Sequence, residues 1–226
     1  MPIAGTGMLL TSMDIDAADE ADFNRWYDRE HLAERVAIDG FMEARRYIAH
    51  QGSPKYLSLY STANFEVLES AAYRAALANQ TAWSTATIAR FRNMIRAVAR
   101  ITVSRGQGRG AALGLVRLRP ETGSEASLRA ALADRLDPQE FDGIISMHLL
   151  ESDPALSRPL TGNTSAAGAG DWFVLVDGTD VTAIAAAIAA HFTGAVALQI
   201  SSVISTGVYN LMWDLSKSDI APSTSR

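Results

Sequence analysis

The stretch Asp22-Phe-Asn-Arg-Trp-Tyr-Asp-Arg-Glu-His31 holds two adjacent aromatic residues, a histidine and several acidic or amide side chains within ten positions. The acidic segment before it, Asp16 to Glu20, suits the start of a helix, where carboxylates complement the helix dipole. Apolar residues at helical spacing carry the helix to about Ile38, and Asp39-Gly40 ends it. A helix that only covered a sheet would not need this mixture of side chains. The stretch is therefore our candidate for a functional site.

The segments that follow this helix predict a repeated order of strands and helices. In the first half we predict the strands Met8–Ile15, Phe41–Gln51, Lys55–Ala63 and Met94–Val103, and the second helix Phe65–Ala78. In the second half we predict the strands Ala111–Arg119, Gly143–Leu150 and Trp172–Val176, the helices Ser124–Leu136 and Val181–Phe192, and one or two strands in Leu198–Leu215, broken near Thr206-Gly207. Each half has the β-α-β-β-α-β order of a ferredoxin-like unit.

Two such units complete each other physically. A four-stranded antiparallel sheet with both helices on one face leaves its other face bare, and a second copy can cover it. We therefore predict an α+β fold in which two ferredoxin-like repeats, residues 1–105 and 111–226, form an intramolecular pseudo-dimeric α/β barrel. The Gly/Ser-rich connection 154–170 is predicted to be a flexible insertion in the second repeat. The alternative is two separate domains joined by a linker.

Composition narrows the classes of function. The 226 residues carry a formal net charge of -5 and no dense basic cluster, so we expect no nucleic-acid partner. The absence of cysteine excludes disulfides and thiol chemistry. The most apolar tract, Val181 to Phe192, is shorter than the roughly 20 residues that a membrane span needs. No signal peptide is recognisable, so we expect a cytoplasmic protein that binds a small molecule; a homodimer stays open because outer strand edges can pair.

A resemblance to a known superfamily rests on two segments. Phe23-Asn-Arg-Trp-Tyr-Asp-Arg-Glu-His31, followed by Gly40-Phe-Met-Glu-Ala-Arg-Arg-Tyr47, resembles the dimeric α/β-barrel superfamily, in particular EthD-like and antibiotic-biosynthesis-monooxygenase-like members. Their first helix carries a (W/Y)-x-x-x-H element and their next strand begins G-F-x-x-x-R. The resemblance covers residues 7 to 105. It implies the barrel fold and leaves the reaction open, since the superfamily includes oxygenases, isomerases, decarboxylases, haem proteins and members without known activity.

His31 and Tyr27 are the candidate catalytic residues. One helical turn separates them, so both rings can project to the same side. A histidine near neutral pH can give or take a proton, which makes His31 the candidate proton shuttle. The alternative is a structural histidine at the end of the helix. Trp26 offers a large contact area and is assigned to substrate binding; core packing is the alternative for both Trp26 and Tyr27.

The strands supply further candidate binding residues. In Tyr56-Leu-Ser-Leu-Tyr60 the alternation predicts that the leucines meet the helices and the tyrosines face the barrel interior. Arg46 and Arg96 would need an anionic ligand or a carboxylate partner if they lie inside. Trp83 falls in a connection that often forms a lid in the superfamily. Tyr60, Arg46, Arg96 and Trp83 are therefore assigned to substrate binding.

The function that these residues predict is a small-molecule enzyme without a tightly held cofactor. It would act on an aromatic or polyketide-like compound as an oxygenase, isomerase, cyclase or decarboxylase, with no metal site. A non-catalytic ligand-binding or structural protein is the alternative. Haem binding, with His148 or His191 as axial ligand, is a third.

Overall fold

The computed structural model describes residues 3–158, 169–192 and 201–220. Its strands are β1 (Gly7–Asp14), β2 (Phe41–Gln51), β3 (Tyr56–Thr62), β4 (Arg92–Gly106), β5 (Ala112–Pro120), β6 (Ile144–Ser152), β7 (Trp172–Gly178) and β8 (Ser201–Ser216). Its α-helices are α1 (Glu20–Trp26), α2 (Leu32–Ala37), α3 (Ala71–Ala78), α4 (Ala82–Ile88), α5 (Glu125–Arg135) and α6 (Val181–Phe192). A π-helical turn, Tyr27–His31, joins α1 to α2 without a break. Single 3-10 turns occupy Phe65–Glu69, Pro138–Glu140 and Lys217–Asp219.

The eight strands close into one antiparallel barrel in the order β1-β3-β2-β8-β5-β7-β6-β4. Read around the barrel, β4-β1-β3-β2 and β8-β5-β7-β6 are two sheets with the same internal order. They join where β2 pairs with β8 and β4 pairs with β6. This confirms the predicted α+β class and the pseudo-dimeric barrel, and it excludes two separate domains.

The predicted facing of β3 is wrong. Leu57 and Leu59 point into the barrel, where they pack against leucine and phenylalanine side chains from β5, β6 and β7. Tyr56 and Tyr60 instead face α1 and α2 on the outside. The physical reason is closure, because the inner face of β3 meets apolar side chains of the other half, whereas its outer face meets the aromatic side chains of the first helical segment. Arg46 and Arg96 likewise lie on the outer face, under the helices and not inside the barrel.

Three boundaries differ from the sequence prediction. The connection that contains Trp83 is helix α4, because Thr81 caps its first turn by accepting a hydrogen bond from the Ser84 amide. The predicted helix over 65–78 is a 3-10 turn and then α3, which Ser70 caps. The predicted break near Thr206-Gly207 is absent, since β8 runs unbroken through it. Most of the predicted insertion 154–170 and the start of Leu198–Leu215 lie outside the described residues.

The two halves differ in how their helices meet the sheet. Over the second half, α6 packs so closely on β5 that a Cβ atom at Gly114 would lie 2.8 Å from Ile184 Cγ2 and 2.9 Å from Ile188 Cδ1. Over the first half, the helices stand away from the outer face and leave space above β1, β3 and β4. The cavity described next lies in this space.

Candidate functional site

A cavity of about 430 Å³ separates α1–α4 from the outer face of β1, β3 and β4. Most of its wall is apolar, with side chains such as Leu9, Met13 and Phe91. Five of the residues that the sequence predicted for the site line it together: Trp26, Tyr27, His31, Tyr60 and Arg96. Its size is in the range of cavities that hold small organic ligands.

The π-helical turn determines how the aromatic residues meet. The amide of Leu32 donates to the carbonyl of Tyr27, five residues earlier. In an α-helix of 3.6 residues per turn, residues five apart would point roughly 140° away from each other. The wider π turn brings Trp26 and His31 onto one side, where their rings stack with centroids 4.1 Å apart and planes at 28°. Single π turns inside α-helices occur often at functional sites.

Trp26 is held from the other side by α4. Its indole N–H donates to Ser84 Oγ over 3.0 Å, and Ser84 Oγ in turn donates to Glu30 Oε1 over 3.2 Å. The hydroxyl of Thr81 donates to the same carboxylate oxygen over 2.5 Å. The Glu30 carboxylate therefore fixes, through Ser84, the indole on which the histidine stacks.

His31 lies among aromatic rings and has no polar partner among the described residues. Its ring meets Tyr27 edge to face at 5.2 Å and Tyr60 at 6.1 Å. Its Nδ1 is buried and makes no hydrogen bond to any described residue. Burial lowers the pKa of His31 well below its usual value, and the positive charges of Arg35 and Arg46 lower it further. The imidazole is therefore neutral at physiological pH, with a nitrogen that can accept a proton.

Tyr60 and Tyr27 provide hydroxyl groups beside this imidazole. The Tyr60 hydroxyl is buried and makes no hydrogen bond of normal geometry within the described part of the chain. Burial raises the pKa of Tyr60 well above 10, and the neighbouring Tyr27 raises it further, so Tyr60 stays protonated and can donate. Among the described residues, the Tyr27 hydroxyl makes a weak contact with the sulfur of Met13 over 3.8 Å, and it neighbours the Tyr60 hydroxyl.

Two of the predicted binding residues do not reach the cavity. Arg46 is fully buried behind Tyr27, with its guanidinium 4.1 Å from the centre of that ring. It donates to Asn24 Oδ1 over 2.5 Å and to Asp28 Oδ1 over 3.3 Å. Trp83 lies on the outer side of α4, where its N–H donates to Asp22 over 3.3 Å. Both residues therefore position the helices, and Arg46 supports the ring of Tyr27.

Sequence reasoning missed Arg35, which lines the cavity. It lies one helical turn after His31, so the same spacing that joined Tyr27 to His31 could have found it. Only 5% of its surface is exposed. A second arginine, Arg96, reaches the cavity from β4 and is 7% exposed.

The two histidines considered as haem ligands do not fit that role. His148 is fully buried inside the barrel, and its two ring nitrogens lie 3.0 Å from Ser104 Oγ and 3.1 Å from Ser146 Oγ. His191, at the end of α6, lies 3.2 Å from Glu140 and packs against Phe141. Neither lines the cavity beside His31. Within the described ranges, no three metal-ligating side chains cluster, and no helix is long and apolar enough to cross a bilayer.

Comparisons with known proteins agree with this architecture. No protein-family model and no curated protein sequence matches the chain. Among solved structures, an anthrone oxidase-like protein superposes with a TM-score of 0.65 at 9% identity over 96% of each chain. A DyP-type peroxidase from Mycobacterium smegmatis gives a TM-score of 0.57 at 10% identity, over 98% of this chain and 96% of its own. A haem-binding protein from Thermus thermophilus gives 0.51 at 11% identity, over 96% of this chain and 94% of its own.

At such low identities the similarity concerns the fold, and the named activities belong to those proteins. The closed eight-stranded antiparallel barrel and the superposition over almost the whole length point to one architecture. The chain has a dimeric α/β-barrel fold, with both halves of the barrel in one polypeptide.

Proposed function

We propose that the protein is an enzyme that binds a largely apolar, oxygenated compound, of aromatic or polyketide type, in the cavity beside His31. The observation that carries this proposal is the partly buried, neutral His31, whose buried Nδ1 has no hydrogen-bond partner among the described residues, in an apolar cavity of ligand size. A histidine that only stabilised the fold would be expected to use its polar atoms. The structural neighbours that are named as an anthrone oxidase-like protein and a DyP-type peroxidase support small-molecule chemistry in this fold.

The proposed chemistry is a proton transfer. His31 takes a proton from a carbon or hydroxyl group of the substrate, and the electron pair stays on the substrate as an enolate or phenolate. The hydroxyls of Tyr60 and Tyr27 then donate to the oxygen that becomes negative, and in an apolar cavity such donors stabilise charge far better than in water. Trp26 fixes the plane of the imidazole. Isomerases, cyclases and cofactor-independent oxygenases share this step; an oxygenase would next need molecular oxygen.

The alternative is a protein that binds a ligand without transforming it, or whose polar groups only stabilise the fold. The surroundings of Arg46 fit a structural network, since Asp28 and Asn24 accept hydrogen bonds from its Nη1 and Nη2 atoms, although its buried Nε has no described partner. The surroundings of His31 do not, because no described carboxylate or carbonyl bonds to its Nδ1. This difference favours the enzyme.

The experiment compares the wild type with His31→Ala in thermal-shift and absorbance assays, using a panel of aromatic and polyketide-like acids and phenols. We expect ligands to raise the melting temperature of the wild type more than that of the variant, and the best binders to change their absorbance only with the wild type. His50→Ala is the matched control, because His50 is exposed at the end of β2. If His31→Ala binds and converts the same compounds, or if it is only less stable and no ligand shifts either protein, the enzyme proposal fails. A Soret band on the purified protein would support haem binding instead.

A further inference from the structure

The charges on the cavity wall do not balance. Two arginines, Arg35 and Arg96, are among the described residues that line it, whereas no aspartate or glutamate is. His31 is neutral and adds no charge. A ligand-free cavity therefore holds two buried positive charges within walls that are mostly apolar, and such charges normally have anionic partners.

Arg35 has no partner among the described residues. Its Nε and Nη1 atoms are buried and make no hydrogen bond. No carboxylate oxygen of the described chain lies within 4.0 Å of its guanidinium, the usual limit of an ion pair. The neighbouring Glu34 is half-buried and lies outside the cavity wall. The guanidinium thus keeps N–H donors that no described residue accepts, and its planar shape suits a carboxylate.

Arg96 is held in place by neutral groups. Its guanidinium donates to the carbonyls of Leu156 and Arg158, the latter over 3.4 Å, and to the Tyr73 hydroxyl over 3.4 Å. These contacts orient the side chain and leave its charge uncompensated. Arg96 also stands directly opposite Thr11 in the pairing of β1 with β4.

The sheet beneath the cavity carries hydroxyls that make no hydrogen bond to a described residue, and of these the Thr11 hydroxyl belongs to a residue that lines the cavity. Thr11 stands opposite Ser58 in the pairing of β1 with β3, so Ser58, Thr11 and Arg96 form one polar row across the sheet. The hydroxyls of Thr11 and Ser58 are buried and bond to no described residue. Water could satisfy these neutral hydroxyls, but water cannot neutralise two buried cations.

We propose that the substrate of this site carries a carboxylate, which pairs with Arg35 and lies within the field of Arg96 above the Thr11 hydroxyl. This proposal rests on the proposed function, because it names the class of substrate for the same cavity: a planar organic acid. The rest of the molecule stacks in the apolar part of the cavity near Trp26 and His31. Arg35 is then a specificity-determining residue for the acid.

The test compares 1-naphthoate with the neutral 1-naphthamide, two probes of nearly equal shape, by isothermal titration calorimetry. In the wild type we expect the acid to bind about tenfold more tightly than the amide or better, as for a buried charge-assisted hydrogen bond. Arg35→Met removes the charge at similar volume and abolishes this preference. Arg35→Lys keeps part of it. Arg29→Met is the matched control, because Arg29 is exposed on the same helical segment, and this variant retains the full preference.

A second readout uses the ligand-free proteins. If the charge of Arg35 has no counter-ion in the ligand-free protein, its replacement by methionine removes a destabilising buried charge. Ligand-free Arg35→Met then melts at a higher temperature than the ligand-free wild type. A structural arginine would give the opposite shift. The proposal is overturned if naphthoate does not bind the wild type, if acid and amide bind equally, or if ligand-free Arg35→Met is less stable. His31→Ala separates the two proposals, since it binds both probes more weakly and loses turnover but keeps the ratio of the acid affinity to the amide affinity.

Discussion

Asp177→Asn tests the electrostatics of the barrel interior, away from the candidate site. Asp177 projects inward from β7 and is 1% exposed. Its Oδ1 lies 3.7 Å from Arg45 Nη1, and its Oδ2 lies 3.9 Å from His148 Nε2. Arg45 is closer to Glu43, at 2.8 Å, and Arg109 also contacts Glu43 at 2.8 Å. Asp177 is therefore the carboxylate with the weaker compensation.

Burial raises the pKa of Asp177 from 3.8 to about 6, although the nearby Arg45, the Gly110 amide and Arg109 counteract it. Between these two values the unfolded chain releases the proton while the folded chain keeps it, so the free energy of unfolding falls as pH rises. A shift of roughly two units corresponds to about 3 kcal/mol. This stability is present below pH 4 and is lost above pH 6. The pKa of His148 is lowered to about 3 by burial and by Arg45, so its charge does not change in this range.

Asparagine has the shape of the protonated carboxyl and cannot ionise. We expect Asp177→Asn to match the wild type near pH 4 and to be more stable by up to about 3 kcal/mol at pH 8. Urea unfolding of both proteins across this range measures the difference, and the other titrating groups cancel in it. If the free energies of unfolding ran parallel against pH, with the variant less stable by a constant amount, the reasoning would be refuted. Asp177 and Arg45 would then form an ordinary ion pair.

Three further predictions concern the N-terminal cavity and the packing of the helices on the sheet. In Arg35→Met the pKa of His31 should rise but stay below its usual value, because burial is the larger cause; the ring proton resonances followed against pH measure it. Arg46→Ala should lower the free energy of unfolding by roughly 3 kcal/mol, because it leaves a cavity among three aromatic rings. If the variant were as stable as the wild type in urea unfolding, this packing would be contradicted. Gly114→Ala should lower the free energy of unfolding by roughly 1–3 kcal/mol, because α6 must move to make room for the added carbon. Gly170→Ala is the control, since nothing lies within 4 Å of its added carbon, and it should change the free energy of unfolding by less than about 0.5 kcal/mol. Equal melting temperatures of the two variants would show that α6 moves without cost.

The order of elements could be predicted because local signals agree with the final fold. Gly40 ends the first helical segment with a positive φ of 84°, and helix α6 spans the alanine-rich run Val181–Phe192 as predicted. Barrel closure followed from the need to cover two bare sheet faces. The sequence could not predict which face of β3 points into the barrel, because Tyr56-Leu-Ser-Leu-Tyr60 alternates in the same way for either orientation. The apolar side chains that Leu57 and Leu59 meet come from the second half of the chain, so the segment itself does not reveal them.

The site was predicted in part. His31 and Tyr27 meet as the helical spacing indicated, although no local signal reveals the π turn that stacks His31 on Trp26. Arg35 was not predicted to line the cavity, because an arginine on an amphipathic helix is usually solvated. Its burial depends on the distance between the helix and the sheet, which the sequence does not give. Arg46 was assigned to the ligand because its partners, Asn24 and Asp28, are distant in sequence from the strand that carries it. Charge pairing across elements is a property of the assembled fold.

The same arginine that would recognise an acid also weakens the base beside it. After burial, the positive charge of Arg35 is the largest cause that lowers the pKa of His31. In the empty cavity the imidazole is therefore a poor proton acceptor. A carboxylate bound to Arg35 neutralises that charge, so the imidazolium that forms during proton transfer no longer faces an uncompensated cation. Arg46 exerts less of this effect and already has Asp28 as a counter-charge at 3.3 Å. Under the two proposals, such a site would gain its basicity from the substrate, and a buried Arg35 without a described ion-pair partner next to His31 is the arrangement that this would require.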